Sequence, residues 1–315
     1  MKYHAPFFFL LATLIHLSCK DNTPKNVFEA KAVNKNQTES INKPIAKDTT
    51  IYHDNFKSKF VDKRNVEVWL PKGYPQKEVE YQVLYMHDGQ NVLNKETSYT
   101  GIAWEIDKKV DSLMTIKVIQ PTIVVAIWNN GEKRFSEYMP KLPHDLTESA
   151  FAKAELKKNF GSENIYSDEY LKFLVKELRP FINNHYQTSK KPQHTAIMGA
   201  SMGAHISLYA MIEYPHIFGK AGCLSTHWPI PYLGQAFIDA LPTSVPKPTL
   251  HKINFEHGTK TLDKDYEPFQ LQVNNMFYEL GYTDKNLLYK KFDGHEHSEK
   301  DWQRRVQYGL KFLLK

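Results

Sequence analysis

The run GASMG at positions 199–203 constrains the fold of this chain more than any other feature. It places Ser201 between Gly199 and Gly203, after an apolar stretch and before a stretch compatible with a helix. A serine on a sharp turn from strand to helix needs glycine at both flanking positions, because neighbouring backbone passes too close for side chains. Glycine averages about 7% of residues, so both flanks occur by chance at only about 0.5% of serines. The motif therefore predicts an exposed, nucleophilic serine at the start of a helix.

Strand patterns alternate with helix patterns over the second half of the chain, which predicts an α/β fold with a mainly parallel sheet covered by helices on both faces. Residues 66–70 alternate apolar and other side chains, which predicts a half-buried strand, whereas the apolar runs at 81–86 and 122–128 predict fully buried central strands. Further elements are predicted as a helix at 170–186, a strand at 195–198, a helix at 202–214, a strand at 253–256, a helix at 268–281, a strand at 287–292 and a helix at 298–314. The polar residues 136–164 are predicted to form an insertion over the sheet edge or the site.

The N-terminus has the pattern of an exported protein. The apolar run at 7–15 is too short to span a bilayer but suits the core of a signal peptide. The sequence LSC that ends at Cys19 resembles a bacterial lipobox, and the charged residues after it are similar to a surface-export signal. The resemblance implies a signal peptide at residues 1–19, a lipid anchor on Cys19 and a place in the cell envelope, at the outer membrane or cell surface. An ordinary cleaved signal peptide is the alternative.

Composition divides the remaining chain and limits its partners. Residues 20–50 are rich in Asn, Lys, Thr and Glu and have few apolar side chains, which predicts a disordered tether before a domain at 51–315. The net charge is +6, but no basic stripe is interleaved with aromatic residues, which argues against nucleic-acid binding. With Cys19 lipidated, Cys223 has no disulfide partner and is predicted to be a small core residue. The oligomeric state has no signal in the sequence.

The candidate base lies near the C-terminus. In folds of this kind the histidine follows the last strand, and only His295 and His297 do so here. The two could also ligate zinc, but no third ligand has matching spacing, so neither a metal nor another cofactor is predicted. For the acid, residues 256–265 offer three carboxylates: Glu256, Asp263 and Asp265.

Several short motifs occur in one order: VWLP at 68–71, HDGQN at 87–91, AWEID at 103–107, IWNN at 127–130, GASMG at 199–203, HGT at 257–259 and HSE at 297–299. Over about residues 50–315 the chain resembles the esterase family that contains enterochelin esterases, esterase D, feruloyl and acetyl-xylan esterases, and mycolyltransferases. The resemblance implies an α/β-hydrolase fold and a triad of Ser201, His297 and Asp263. It also implies an oxyanion hole made by the backbone N–H groups of Gln90 and Met202. Glu256 departs from the family pattern, which has Asp at that position in the most similar members.

Four further residues are candidates for substrate contact. Trp104 and Trp128 are pocket walls or core residues, and Arg134 and Tyr138 grip a polar substrate or form part of a surface ion pair. The predicted function is that of an exported serine esterase acting on carboxylic esters, with acyl groups on carbohydrates as candidate substrates. The alternatives are a siderophore trilactone hydrolase, an acyltransferase, and a surface lipoprotein that binds without turnover.

Overall fold

The computed structural model describes residues 44–315, which contain one eight-stranded sheet. The strands are β1 Thr49–Phe56, β2 Arg64–Leu70, β3 Gln82–Met86, β4 Thr122–Ile127, β5 Thr195–Ala200, β6 Lys220–Leu224, β7 Lys252–His257 and β8 Leu287–Lys291. Their order across the sheet is β1-β2-β4-β3-β5-β6-β7-β8. The two pairings made by β2 are antiparallel and all the others are parallel. The predicted α/β-hydrolase architecture is confirmed.

Helices cover both faces of this sheet. They are α1 Ile106–Thr115, α2 Arg134–Tyr138, α3 His144–Thr147, α4 Ala150–Phe160, α5 Ser167–Phe173, α6 Arg179–His185, α7 Met202–Glu213, α8 Leu233–Ser244, α9 Glu267–Glu279 and α10 Glu299–Leu314. The buried side chains of α1 and α10 share one apolar cluster with one face of the sheet, and those of α2 to α9 pack on the other face. Alternate residues of each central strand therefore enter two separate cores, and both cores position the loops at the strand ends.

The strand predictions succeeded where burial is complete on both faces. Every residue of β3 and β4 is buried, as the apolar runs predicted. The half-buried reading of β2 is wrong, because within that strand only Asn65 is partly exposed. The face opposite Val66 and Val68 carries Trp69, which packs into the core under α1 and α10. Both sides of β2 therefore face a core. The alternation in its sequence arises because the two cores contain different side chains.

The helix predicted at 170–186 is interrupted. A π-helical turn at Leu174–Leu178 separates α5 from α6, and Pro180 is the second residue of α6. Proline has no N–H to donate to the carbonyl one turn earlier, and its ring crowds that carbonyl, so the backbone widens before it. The helix begins three residues earlier than predicted, at Ser167.

Toward the C-terminus, the predicted elements occur within one or two residues of their predicted bounds, from β5 to α10. Four elements had no prediction: the exposed edge strand β1, strand β6, and helices α1 and α8. The insertion predicted at 136–164 forms most of α2, together with α3 and α4, and packs over the same face as α7. Cys223 is fully buried in β6, as expected of a core residue.

The predictions for residues 1–43 lie outside the described part of the chain. The signal peptide at 1–19, the lipid anchor on Cys19 and most of the tether at 20–50 stay predictions. Strand β1 begins at Thr49, two residues before the expected start of the domain at 51. Among the helices of residues 44–315, none has the length and apolar character needed to cross a bilayer.

Candidate active site

Ser201 lies in a strained turn between β5 and α7. Its backbone has φ 58° and ψ −119°, a conformation that side-chain-bearing residues rarely adopt and that costs about 1–3 kcal/mol. A Cβ atom added to Gly199 would lie 2.7 Å from the carbonyl carbon and oxygen of Gly203. The N–H of Ser201 donates to the carbonyl of Leu224, 2.9 Å away at the end of β6. The turn therefore depends on glycine at 199 and is tied to the neighbouring strand.

His297 and Asp263 form a close pair at the same edge of the sheet. The distance from His297 Nδ1 to Asp263 Oδ1 is 2.6 Å, and both side chains are largely or fully shielded from solvent. Two neighbours fix the backbone around His297: its N–H donates to Thr261 Oγ1 at 2.8 Å, and Ser298 caps α10 through its side chain. The ring is thus held with Nδ1 toward the carboxylate, which leaves Nε2 available for chemistry.

Asp263 is buried among hydrogen-bond donors. Its second oxygen, Oδ2, accepts from the N–H of Gly258 at 2.6 Å, from Ser225 Oγ at 2.6 Å and from Arg305 Nη2 at 3.2 Å. Burial alone would raise the pKa of Asp263, but the hydrogen bonds from His297 and Ser225 outweigh it, so the pKa lies below its ordinary value. Asp263 is therefore an ionised partner for the imidazole.

The other two candidate carboxylates lie elsewhere. Glu256 is buried at the end of β7, where its Oε1 accepts from Arg305 Nε at 2.8 Å. Burial raises the pKa of Glu256 above its ordinary value even with Arg305 beside it. Asp265 is exposed. Neither carboxylate hydrogen-bonds His297, and the structure brings only Asp263 to that ring.

His295 occupies a different position from His297. Its Nδ1 lies 3.6 Å from Asp301 Oδ1, beyond normal hydrogen-bond range, and 26% of its side chain is exposed. Its carbonyl accepts from the N–H groups of Thr259 and Lys260, so its backbone holds the loop that carries Asp263. Within residues 44–315, no group of three His, Cys, Asp or Glu residues is arranged to hold a metal ion.

The two expected oxyanion donors follow β3 and β5, which are neighbouring parallel strands. Met202 is the first residue of α7, and Gln90 is the middle residue of the 3₁₀ turn Gly89–Asn91 after β3. Neither N–H donates a hydrogen bond within the described residues. A Cβ on Gly89 would lie 2.6 Å from the backbone of Ala126, so the turn packs directly on β4. Ser201 Oγ also forms no hydrogen bond within residues 44–315, and in unliganded sites such bonds often tighten only with substrate.

Arg134 and Tyr138 are held by Asp88, in the loop before Gln90. Arg134 donates from Nε and Nη2 to the two oxygens of Asp88 at 2.7 and 2.8 Å, and Asn129 Nδ2 donates to the same carboxylate at 2.7 Å. Burial acts to raise the pKa of Asp88, and Arg134 more than offsets this. The Arg134 side chain is 30% exposed, whereas Tyr138 is fully buried beneath it.

Comparisons with known proteins assign the family. The sequence profile of the family described as "Putative esterase" matches residues 58–310. This chain belongs to that esterase family. It is accordingly a carboxylic ester hydrolase.

Individual relatives of this esterase are distant. It is 22% identical over 253 residues to the Bacillus subtilis protein "Uncharacterized protein YbbA", covering 79% of this chain and 92% of that one. Among solved structures, the enterochelin esterase of Shigella flexneri superposes with a TM-score of 0.59 at 17% identity, and a ferulic acid esterase with 0.61 at 17%. Both matches cover 86% of this chain. They span 59% of the enterochelin esterase chain and 98% of the ferulic acid esterase chain. At this identity the likeness shows the shared fold.

The two tryptophans expected as pocket walls take different places in the esterase. Trp104 is 2% exposed and packs against Trp302, with ring centres 5.8 Å apart, while Trp302 packs against His297 at 4.8 Å. Trp104 therefore lies behind Trp302, which separates it from His297. Trp128 is half-buried beyond β4, where its Nε1 donates to Glu67 Oε1 at 2.7 Å.

One histidine beside His297 had no prediction. His227, in the loop after β6, lies with its ring centre 6.4 Å from that of His297, and its Nδ1 is 2.5 Å from Tyr266 Oη. Burial, followed by electrostatic interaction with His297 and Arg134, lowers the pKa of His227 to about 4. Because the base is expected after the last strand, the sequence pointed only to His295 and His297. A His-Trp pair following a buried strand was the available signal.

Proposed function

We propose that this esterase acts through Ser201 as nucleophile, His297 as general base and acid, and Asp263 as the residue that orients His297. The observation that carries the proposal is the 2.6 Å contact between His297 Nδ1 and Asp263 Oδ1. The three residues follow β5, β7 and β8, which run parallel in one half of the sheet. Parallel strands end at one edge, where active sites of open α/β sheets form.

The proposed reaction has two acyl-transfer steps. His297 Nε2 takes the proton of Ser201, whose oxygen attacks the ester carbonyl, and the same imidazolium then protonates the leaving alcohol. Water next attacks the acyl-enzyme with His297 as base, which releases the acid and restores the serine. Asp263 holds the tautomer with the proton on Nδ1 and stabilises the imidazolium. Because Asp263 Oδ2 accepts three further hydrogen bonds, the carboxylate stays ionised throughout.

The developing oxyanion is assigned to the free N–H groups of Gln90 and Met202. The Gln90 turn is braced on two sides, since Thr97 Oγ1 donates to the Gln90 carbonyl at 2.7 Å and the N–H of Asn129 donates to Gln90 Oε1 at 3.2 Å. Each preorganised donor of this kind is worth about 10²–10³ in kcat. Met202 adds the positive end of the α7 dipole.

The setting of the reaction is part of the proposal. The sequence of residues 1–19 favours export with a lipid anchor on Cys19, which would place the domain at the cell surface. Acyl groups on carbohydrates are the esters that we propose for an enzyme at that location.

A covalent probe tests the nucleophile directly. The full-length protein, treated with a fluorophosphonate, should gain one phosphonyl group on Ser201 by mass spectrometry and lose p-nitrophenyl acetate hydrolysis in parallel. Ser201→Ala should take up no probe, whereas Ser112→Ala, a change at an exposed serine of α1, should react like the wild type. Labelling at another residue, or unchanged hydrolysis by Ser201→Ala, would contradict the proposed nucleophile.

A further inference from the structure

We propose that His227 contacts the alcohol half of the substrate and selects esters whose alcohol carries a second hydroxyl group, as in polyols and sugars. This inference rests on the proposed function, because it uses the position of His297 as the group that protonates the leaving alcohol.

His227 is one of three rings that pack around His297, the proposed base. The proton of the leaving oxygen comes from His297, so the alcohol half must lie against that ring when it departs. Trp302, Tyr266 and His227 pack around His297 with ring-centre distances of 4.8, 5.7 and 6.4 Å. Trp302 donates its N–H to Ser225, and Tyr266 directs its hydroxyl to His227. His227 is therefore the ring of this group with an uncommitted polar atom.

The uncommitted polar atom of His227 is Nε2. It has no hydrogen-bond partner within residues 44–315, and it is not among the unpartnered polar atoms that are fully buried there, so solvent reaches it. Its ring is held by the contact of Nδ1 with Tyr266 Oη at 2.5 Å, and its backbone by the carbonyl, which accepts from His205 Nε2 at 2.9 Å. A fixed nitrogen that solvent can reach, next to the proposed base, can serve to recognise a polar group of the substrate.

The chemical group that suits Nε2 of His227 is a hydroxyl. Burial keeps the pKa of His227 near 4, so the ring is neutral at physiological pH and does not repel the imidazolium of His297. If Tyr266 donates to Nδ1, then Nε2 carries the proton and donates; in the other tautomer, Nε2 accepts. A hydroxyl group can both donate and accept, so it satisfies either tautomer. A methylene group at the same place would remove water from Nε2 without replacing the hydrogen bond, which would weaken binding.

Two matched substrates test the idea. 2-Hydroxyethyl acetate and propyl acetate have the same acyl group and nearly the same size, and they differ by one hydroxyl in the alcohol. The measured quantity is the ratio of their kcat/KM values. A neutral hydrogen bond is worth about 1 kcal/mol, so His227→Phe should lower this ratio about five- to tenfold. His227→Gln keeps an N–H donor and should retain most of the preference, and Tyr266→Phe should give an intermediate ratio.

The matched control is His216→Phe, the same change at an exposed histidine, which should keep the wild-type ratio. A His227→Phe ratio within twofold of wild type, or equal losses with both esters, would overturn the assignment. Failure of the proposed catalytic serine would appear differently, as hydrolysis of both esters by Ser201→Ala. The two hypotheses can therefore fail separately.

Discussion

Glu256 and Arg305 form a fully buried ion pair, with Glu256 Oε1 accepting from Arg305 Nε at 2.8 Å. The same guanidinium donates through Nη2 to Ser225 Oγ at 2.5 Å and to Asp263 Oδ2 at 3.2 Å. Glu256 therefore contacts the proposed triad only indirectly, by holding the arginine that hydrogen-bonds Asp263. Glu256, at the position where the family pattern has Asp, thus holds Arg305 and does not touch His297.

This relationship predicts a strong coupling between the two residues. Arg305→Met should destabilise the fold by about 3–5 kcal/mol, because it leaves Glu256 buried and unpaired. The double variant Glu256→Gln/Arg305→Met should be more stable than Arg305→Met alone. Urea unfolding of the four proteins measures the coupling as a double-mutant cycle. Additive effects would show that the pair does not interact energetically.

The assignment of base and acid predicts an order of kinetic damage. His297→Ala should reduce kcat by several orders of magnitude and His295→Ala much less, since only His297 contacts Asp263. Asp263→Asn should reduce kcat about 10⁴-fold by favouring the wrong imidazole tautomer. Steady-state hydrolysis of p-nitrophenyl acetate provides the comparison. Equal losses from the two histidine variants would reverse the assignment.

The matched acid controls are Asp265→Asn and Glu256→Gln. Asp265 is exposed on the same loop, so its loss should have little effect on kcat. Glu256→Gln keeps an oxygen for Arg305 and should cost less activity than Asp263→Asn. If Asp263→Asn were as active as Asp265→Asn, neither the 2.6 Å contact nor the triad could explain catalysis.

The sequence predicted those features of the site that depend on backbone geometry within a few residues. Gly199 must be glycine because of a clash within its own turn, and Ser298 caps the helix that follows it. The supporting shell had no such signal. Arg305 and Ser225 reach Asp263 from α10 and from the end of β6, and only the folded topology brings them within 3.2 Å. Long-range side-chain contacts of this kind leave no periodicity in one sequence.

Elements were missed for a related reason. Strand β1 lies at the sheet edge with most of its residues exposed or half-exposed, so it has no apolar run. The π-helical turn before Pro180 was also unpredicted, because the apolar spacing of 170–186 fits one continuous helix. Periodicity reports which side is buried and does not report how the backbone adjusts.

The lowered pKa of His227 predicts a pH dependence of stability. Its folded-state pKa is about 4, below the ordinary 6.5, so between these values the unfolded chain binds more protons at this residue. The contribution of His227 to the unfolding free energy is therefore present above about pH 6.5 and is lost as the pH falls toward 4. His227→Phe should show a shallower loss of stability across this window in urea unfolding. Parallel curves for the two proteins would contradict the burial effect.

The proposed lipid anchor predicts a change in cell fractionation. Cys19→Ala should move the full-length protein from the membrane pellet to the soluble fraction, because the acyl chains on Cys19 are the only proposed membrane attachment. Cys223→Ala is the matched control and should stay in the pellet. Retention of Cys19→Ala with the membrane would show that the anchor lies elsewhere.

The strain at Ser201 predicts that two inactive variants differ in stability. Ser201→Ala and Ser201→Gly both remove the hydroxyl, so each should lose at least about 10³-fold in kcat. Alanine keeps the Cβ atom at φ 58°, whereas glycine adopts positive φ without a steric penalty. The relief of about 1–3 kcal/mol of strain is partly offset by about 0.5–1 kcal/mol of extra chain entropy in the unfolded glycine variant. Ser201→Gly should therefore unfold at a higher urea concentration than Ser201→Ala, by about 1 kcal/mol in free energy. If Ser201→Ala were equally or more stable, a side chain at φ 58° would not strain this turn, and the serine would not lower the stability of the fold.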